Sequence, residues 1–491
     1  MSVLFRIAVR NLREHKSKTL IIGLLIAIGI AILVIGNSMI DTSARGIERT
    51  FIDNYTGHIM ISGISENGIS LFGVSSMGNM ENTPVIPEYK EILNHVQGLQ
   101  DVEAVTSQIS GFGLLSIEEE QEQDSQSFSI LFGIDAASYR NMFDNLEFIK
   151  GSYLSPGTEG ILLTEDRVQE IEEKTGLSLS IGDPVILNGF GNAGFKIREV
   201  PLQGIFRFKH ESEGMDVISY VDVQTLRALL GMTLGSTVDV NLLENETALL
   251  EIEDTDILFD DFGIDSEEAA TESLEEDELF GVLGDLDARE SALELDQGSW
   301  HFILIKLHEG RHSDKVIEDI NSWLIEREVK AEAVNWKQAA GPYAASADIL
   351  RTVFTVAILI VAVVAVIIIM NTLVISVIER TPEIGMMRAL GARKGFVWKM
   401  FLTETLTVSS IFGIIGIILG ILFILILGVL NIQASNDFLK ILFAGPVLKP
   451  IISPMSILYA FIVVIMIGII SHIYPVLIAL KIQPVKAIQT E

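Results

Sequence analysis

Four long apolar runs constrain this 491-residue chain more than any other feature. An α-helix needs about 20 apolar residues to cross the roughly 30 Å hydrocarbon core of a bilayer. A lipid-exposed segment must satisfy its backbone hydrogen bonds internally, so each run is expected to be a helix. The predicted spans are residues 19–40, 349–378, 404–430 and 456–480. The first run lacks a signal-peptide cleavage site, so we expect it to remain as a span.

Charge is divided unequally along the chain. Residues 41–348 hold 59 of the 65 acidic residues but only 19 of the 34 basic ones, and the remainder holds 6 acidic and 15 basic residues. Basic loops of membrane proteins stay in the cytoplasm. We therefore predict that both termini and the segment 379–403 are cytoplasmic. Residues 41–348 and the short loop 431–455 then lie on the other side of an inner membrane, and residues 1–18 form an amphipathic helix on its cytoplasmic surface.

The long region between the first two spans has the pattern of a mixed α+β domain. Strand-like runs occur at 58–63, 127–135 and 301–307. Residues 160–171 begin as a strand and continue as a helix after Thr164, which is a suitable N-cap. The predicted fold class is an α-helical membrane protein with four transmembrane helices and a large α+β extracytoplasmic domain between helices 1 and 2.

Two stretches of this domain differ from the rest. Residues 188–196 are rich in glycine and lie between strand-like runs, which indicates a hairpin tip. Residues 244–296 are crowded with acidic side chains, and like charges repel one another. We predict that this acidic stretch is an exposed, poorly ordered insert.

A short basic segment, residues 379–399, separates the second and third apolar runs. Pro382 suits the first turn of a helix, and Gly391 suits a left-handed helix end. Ile384, Met387 and Leu390 recur at helical spacing and predict an apolar ridge. The segment is either a docking helix for a cytoplasmic partner or a basic loop that only fixes topology. The expected docking residues are Glu379, Arg380, Pro382, Glu383, Ile384, Gly385, Met387, Arg388, Leu390 and Gly391.

The chain lacks the sequence motifs of an energy-converting or catalytic protein. It contains no G-x-x-x-x-G-K-[ST] loop for phosphates, no H-E-x-x-H and no G-x-S-x-G. It also contains no cysteine, which removes thiol catalysis, disulfides and cysteine metal sites. We expect no catalytic residue, metal, cofactor or nucleic acid in this chain, so the energy for any transport must come from a partner.

Several short motifs follow one another in a characteristic order. FRIAVRNLR at 5–13 precedes the first span, TGHIMI at 56–61 follows it, and ERTPEIG at 379–385 is followed by RALGA at 388–392 and by Glu404. In this order they resemble the FtsX-like permeases of ABC transporters, most closely the lipoprotein-releasing (LolC/LolE-type) branch.

The resemblance implies a non-catalytic membrane subunit that works as a dimer of like or unlike permease chains. Two copies of a separate cytoplasmic ABC ATPase would bind ATP and Mg, and residues 379–399 would match the coupling helix that docks on them. A lipoprotein would be extracted from the outer leaflet of the inner membrane and passed to a periplasmic carrier.

The resemblance also implies two substrate-handling regions. The acyl chains of the lipoprotein would lie between span one and span two of the two subunits, in contact with membrane lipid. The expected lining residues of this cleft are Ile26, Ile30, Val361 and Val364. The hairpin would grip the carrier through Gly189, Phe190, Gly191 and Phe195. Two alternatives remain open: a MacB-like efflux permease, and an FtsX-like signalling subunit that controls a cell-wall hydrolase.

Overall fold

The computed structural model describes residues 10, 16–65, 67–75, 79, 82–117, 126–191, 194–208, 217–234, 294–308, 310–435, 443, 445 and 447–481. The predicted surface helix at 1–18, the acidic stretch 244–296 and the tail 481–491 lie largely outside the described residues. The chain divides into two compact units. We call Met1–Tyr55, Phe208–Met215 and Trp336–Glu491 the span unit, and Thr56–Arg207 with Asp216–Asn335 the sheet unit.

The described elements follow one another along the chain as helices at the two ends and mixed structure between them. In order they are α1 Lys16–Phe51, a π-helix Ile52–Thr56, β1 Ile59–Gly63, α2 Tyr89–Gln97, β2 Val102–Ser116, β3 Ser127–Ile134, α3 Ala136–Met142, β4 Leu146–Gly151, β5 Ile161–Thr164, α4 Glu165–Thr175, β6 Pro184–Gly191, β7 Gly194–Phe208, β8 Ile218–Asp222, α5 Val223–Leu230, β9 Phe302–Leu307, a 3-10 turn Gly310–His312, α6 Ser313–Glu326, β10 Ala331–Asn335, α7 Trp336–Ala340, α8 Pro342–Glu379, α9 Thr381–Ala389, α10 Lys394–Leu430 and α11 Pro454–Lys481.

Four helices, α1, α8, α10 and α11, are long and apolar enough to cross a membrane, which confirms the predicted architecture. All four extend beyond the predicted spans: α1 continues past residue 40, α8 begins before 349, α10 before 404 and α11 before 456. The length of an apolar run indicates which residues lie in the hydrocarbon core. The helix itself ends where the backbone changes conformation, which can be several residues further on. Thus α1 gives way to the π-helix before Gly57, which has a φ of 63°, and α8 starts at Pro342.

Helix α10 packs against both α1 and α11 in the span unit. A Cβ added to Gly416 would lie 2.5 Å from the Ala27 carbonyl oxygen, and one added to Gly420 would lie 2.9 Å from the Val34 Cβ. These two glycines therefore let the backbones of α10 and α1 approach closely.

Three polar residues of α1 hold the chain that enters α11. The Ser38 hydroxyl donates to the Ile451 carbonyl at 2.7 Å, and the Ile451 N–H donates to the Thr42 hydroxyl at 2.9 Å. The Ser456 hydroxyl donates to the Asp41 carboxylate. These bonds satisfy backbone groups just before α11 begins, so they fix the start of that helix against α1.

The sheet unit contains one ten-stranded sheet in its described part, and six of the strands close into a ring. The ring runs β2–β3–β8–β5–β7–β6 and back to β2. Strands β9, β1 and β10 extend the sheet from β2 on the other side. Because β2 is 15 residues long, it pairs with β9 in its first half and with β6 at its end.

Each part of the sheet has its own apolar core. Side chains that include Leu115, Leu131, Leu163 and Leu187 form one cluster in the ring. In the other cluster, Ile61 of β1 and Ile305 of β9 are buried together with residues of α2 and α6. Strands β1 and β9 are buried on both faces, so only every second side chain of each strand enters this cluster.

Several local predictions are confirmed. Strands β1, β3, β5 and β9 lie where the sequence pattern placed them. The Thr164 hydroxyl accepts a hydrogen bond from the Arg167 N–H at 3.2 Å, so Thr164 caps α4. Strand β2 was not predicted, because Gly111, Gly113 and the buried Gln108 interrupt its apolar pattern.

The two ends of the stretch 235–293 are joined by backbone hydrogen bonds. The Leu234 N–H donates to the Glu294 carbonyl at 2.9 Å, and the Asp296 N–H donates to the Met232 carbonyl at 3.0 Å. The buried Arg227 guanidinium also donates to the Ser299 carbonyl at 2.9 Å. Residues 232–234 and 294–296 therefore lie side by side in the sheet unit.

A buried histidine lies just after this junction. The Nδ1 of His301 lies 3.1 Å from the Ser110 carbonyl oxygen, and the whole side chain is enclosed. Burial lowers the pKa of His301 to about 4, because the charged imidazolium loses its hydration.

Candidate functional site

A short helix connects the second and third spans. Helix α9 has Pro382 in its first turn, Glu383 also in the first turn and Arg388 in the last. Gly391 has a φ of 100°, and the Ala392 N–H donates to the Met387 carbonyl at 3.1 Å, so a left-handed glycine follows the helix end. The predicted helix is present at this position.

The predicted apolar ridge of α9 is divided between two surfaces. Ile384 is buried and Met387 is partly buried, in a cluster with Val397, Phe401 and other residues. Leu390, in contrast, is 84% exposed. The three residues therefore do not form one exposed ridge, as the sequence pattern suggested, because two of them anchor α9 to the span helices. Gly385 is buried as well.

The exposed face of α9 is acidic and apolar. It presents Glu379, Pro382, Glu383, Met386 and Leu390. Met386 was missed from the predicted docking set, although its position three residues after Glu383 places both on one helical face. Arg388 is partly buried, and its Nη1 donates to the Leu480 carbonyl at 3.4 Å.

A buried ion pair fixes the start of α9. The Arg380 Nη1 lies 2.9 and 3.0 Å from the two carboxylate oxygens of Glu404, and the side chains are 6% and 15% exposed. Arg380 lies between α8 and α9, and Glu404 lies on α10. The pair therefore joins three helices, and Arg380 positions α9 rather than presenting its charge to a partner. Both residues were in the sequence motif, but their spacing does not reveal the pairing.

An apolar groove of about 430 Å³, including its open side, separates α1 from α8. Ile26, Ile30 and Val361 line it, and α11 contributes Val464 and Ile467. Val364 is exposed on α8 but does not line this groove. Three of the four predicted cleft residues are thus brought together.

A second cavity, of about 640 Å³ including its open side, lies at the end of the span unit near α9 and was not predicted. Residues from all four span helices line it. Its polar lining comprises Thr19, Ser376, Arg380, Glu404, Thr405, Ser409 and His472. The i,i+4 spacing of Thr405 and Ser409 in an apolar run was the available sequence signal. Ile26 and Ile369 line both this cavity and the apolar groove, so the two spaces adjoin.

The hairpin of β6 and β7 forms, but two of its expected binding residues are used for packing. A Cβ on Gly191 would lie 2.4 Å from the Leu230 carbonyl oxygen, and one on Gly189 would lie 3.1 Å from the Leu229 Cβ. These glycines let β6 approach α5 closely, and their assignment to a carrier surface stays a prediction. Phe195 is exposed, and the Phe190 side chain lies outside the described part of the chain.

Comparison with known families covers both units. Residues 19–254 match the MacB-like periplasmic core domain. Residues 355–484 match the FtsX-like permease C-terminal family. The chain is thus similar to MacB-like periplasmic domains in one part and to FtsX-like permeases in another. Among the described residues, no group of three or more His, Asp or Glu side chains could hold a metal ion.

Relatives match this FtsX-like chain over short stretches. The uncharacterized ABC transporter permease YvrN of Bacillus subtilis is 34% identical over 123 residues, which is 25% of this chain and 26% of YvrN. The macrolide export ATP-binding/permease protein MacB of Pectobacterium atrosepticum is 36% identical over 123 residues, 25% of this chain and 17% of that protein. The chain thus spans about a quarter or less of the length of these relatives. Neither relative points to the lipoprotein-releasing branch.

Two solved structures resemble part of the chain. The extracellular domain of the noncanonic ABC-type transporter YknZ from Gram-positive bacteria covers 57% of this chain and 99% of its own, at 11% identity and a TM-score of 0.29. The periplasmic region of MacB from Actinobacillus actinomycetemcomitans covers 59% and 94%, at 12% identity and a TM-score of 0.30.

Proposed function

We propose that this chain is the permease subunit of an ABC transporter and transmits the ATP-driven motion of a separate ATPase to the sheet unit. The observation that carries the proposal is the anchoring of α9 by the Arg380–Glu404 pair and by buried Ile384. Helix α9 is joined directly to α8, a helix of 38 residues that follows β10 with only α7 between them. A displacement at a firmly held α9 can therefore be passed along α8 as a rigid-body movement.

The partners follow from this role. We propose that α9 and both termini lie in the cytoplasm, as their basic segments favour, and that two copies of the ATPase bind ATP and Mg there. The permease works as a dimer, with a second copy or with a related chain, in the inner membrane.

Substitution on the exposed face of α9 tests the docking assignment. We expect Met386→Asp and Leu390→Asp each to abolish co-purification with the cytoplasmic ABC ATPase, because a carboxylate would be buried in the interface. The matched control is Ile325→Asp, which places the same charge at an exposed apolar position of α6. Unchanged ATPase recovery in both α9 variants would remove the docking assignment.

We further propose that the substrate is an acylated protein that enters the apolar groove sideways from the outer leaflet and passes to a periplasmic carrier. Each acyl CH₂ contributes about 0.8 kcal/mol to membrane anchoring. A groove lined by Ile26, Ile30 and Val361 replaces lipid with apolar protein and so lowers the cost of extraction. The efflux alternative is favoured by the matches to MacB, whose name gives macrolide export.

Photocrosslinking in living cells separates these substrates. A photoreactive residue at Ile30 or Val361 is expected to capture acylated lipoproteins, whereas one at lipid-facing Ile418 of α10 is not. Equal capture at all three positions would contradict a lipoprotein path through the groove. Capture of lipid alone, with export of small molecules from the same cells, would favour efflux. A cell-wall hydrolase captured on the sheet unit would favour the signalling alternative.

A further inference from the structure

The cavity near α9 contains buried hydrogen-bonding groups without partners. His472 is 2% exposed and Ser409 is 1% exposed. Within the described part of the chain, the His472 Nε2, the Ser409 Oγ and the Arg380 Nε make no hydrogen bond. Buried polar groups normally have a partner, so three such groups lining one cavity indicate that an acceptor-rich group occupies it.

The rest of the cavity wall is apolar. Ile22, Ile26, Ile369 and Leu373 face the same space. Ile26 and Ile369 also begin the groove between α1 and α8, so the apolar wall continues away from the polar end. An occupant that satisfies both parts has a polar group at the α9 end and an apolar chain leading from it. A soluble anion satisfies only the first part.

The charges of the cavity restrict the polar group further. Arg380 and Glu404 pair with each other and cancel. A headgroup with net negative charge would therefore gain no net charge compensation from them, whereas a zwitterion can contact both. The phosphate of a lipid provides acceptors for the unpartnered donors, and an ammonium group complements the carboxylate.

We propose that this cavity binds one phosphatidylethanolamine molecule from the leaflet on the α9 side. The phosphate oxygens accept hydrogen bonds from the Arg380 Nε–H, from the Ser409 hydroxyl and from His472 in its Nε2–H tautomer. The ammonium group lies toward Glu404, and one acyl chain lies along Ile26 and Ile369. The site goes beyond the proposed transport function, because the proposed substrate comes from the opposite leaflet.

Native mass spectrometry of the full-length protein, delipidated in detergent, tests the site. The probes are 1-palmitoyl-2-oleoyl phosphatidylethanolamine, the matching phosphatidylglycerol and inorganic phosphate. We expect one phosphatidylethanolamine per chain, with affinity about tenfold higher than for phosphatidylglycerol, and no displacement by inorganic phosphate. Binding of inorganic phosphate without lipid, or equal affinity for the two lipids, would overturn the proposal.

Matched variants distinguish the cavity from the general lipid-facing surface. Ser409→Val with His472→Phe removes two donors but keeps the volume and the Arg380–Glu404 pair, and it is expected to weaken binding about tenfold. Leu373→Trp fills the cavity and is expected to abolish binding. Ile418→Trp, on an exposed face of α10, is the control and should bind as the wild type does. If folded Leu373→Trp protein, judged by its thermal unfolding, binds the lipid normally, the cavity is not the site.

Discussion

The Arg380–Glu404 pair should contribute more to the stability of the span unit than any exposed ion pair. The perturbation is a double-mutant cycle of Arg380→Met, Glu404→Gln and the double variant. Both substitutions approximately preserve side-chain volume, so the cycle isolates charge and hydrogen bonding. Either single variant leaves its partner buried without compensation.

The magnitude follows from distance and burial. Unit charges 2.9 Å apart attract by about 6 kcal/mol at an effective dielectric constant near 20. Desolvation offsets much of this energy, so loss of one partner is expected to cost about 3–5 kcal/mol. Because the double variant leaves no unpaired charge, it should be more stable than the sum of the single losses predicts. The exposed Lys337–Asp348 pair, at 3.2 Å, should contribute at most about 1 kcal/mol.

The assay is thermal and denaturant unfolding of the full-length protein in detergent, together with ATPase co-purification. Lys337→Met with Asp348→Asn provides the matched control cycle. We expect the single variants at 380 and 404 to lose ATPase binding, because α9 is no longer fixed. Additive losses in the 380–404 cycle, or single variants as stable as those at 337 and 348, would refute the reasoning.

Three further predictions concern packing, protonation and the acidic stretch. Gly416→Leu should destabilise the span unit by about 1–3 kcal/mol, because the new side chain would collide with backbone atoms of α1. Gly428→Leu has more space and should cost less than about 1 kcal/mol, and unfolding of both variants in detergent measures the difference. The folded sheet unit holds His301 neutral with a pKa of about 4, below about 6.5 in the unfolded chain. The stability that neutral His301 contributes is therefore complete above pH 6.5 and falls by up to about 3 kcal/mol as the pH falls through 4. The variant His301→Gln should flatten that part of the curve of unfolding free energy against pH. Replacing residues 236–293 with a short Gly-Ser linker should leave the unfolding midpoint of the sheet unit nearly unchanged, since the flanking residues are already paired; loss of the folded unit would show that the stretch is structural.

The sequence predicted the features whose signal is local. Apolar length gave the four spans, and a hydroxyl before an acidic turn gave the cap at Thr164. Strand β2 was not predicted, because its Gln108 is buried by residues that are distant in the sequence and leave no local pattern. The outer ends of the span helices were not predicted either, because polar residues can continue a helix beyond the hydrocarbon.

In the candidate sites too, features with a local sequence signal were predicted and those that depend on distant residues were not. Helical spacing predicted α9, but not which residues of α9 face inward, since Ile384 and Leu390 are equally apolar in sequence. The pairing of Arg380 with Glu404 and the polar cavity depend on how three or four helices meet. The two hairpin glycines suggested a flexible binding tip, whereas neighbouring atoms of α5 explain them.

The pairing of β1 has a consequence for biosynthesis. Residues 59–63 are made early, but both strands that flank them, β9 and β10, are encoded after residue 300. The first strand of the sheet to leave the ribosome is thus among the last to find its neighbours, and its hydrogen-bonding groups stay open while most of the unit is synthesised. Long-range pairing of this kind is slow and leaves strand edges exposed to aggregation. Nascent chains that stop before β9 should therefore be far more sensitive to proteases than chains that extend past β10.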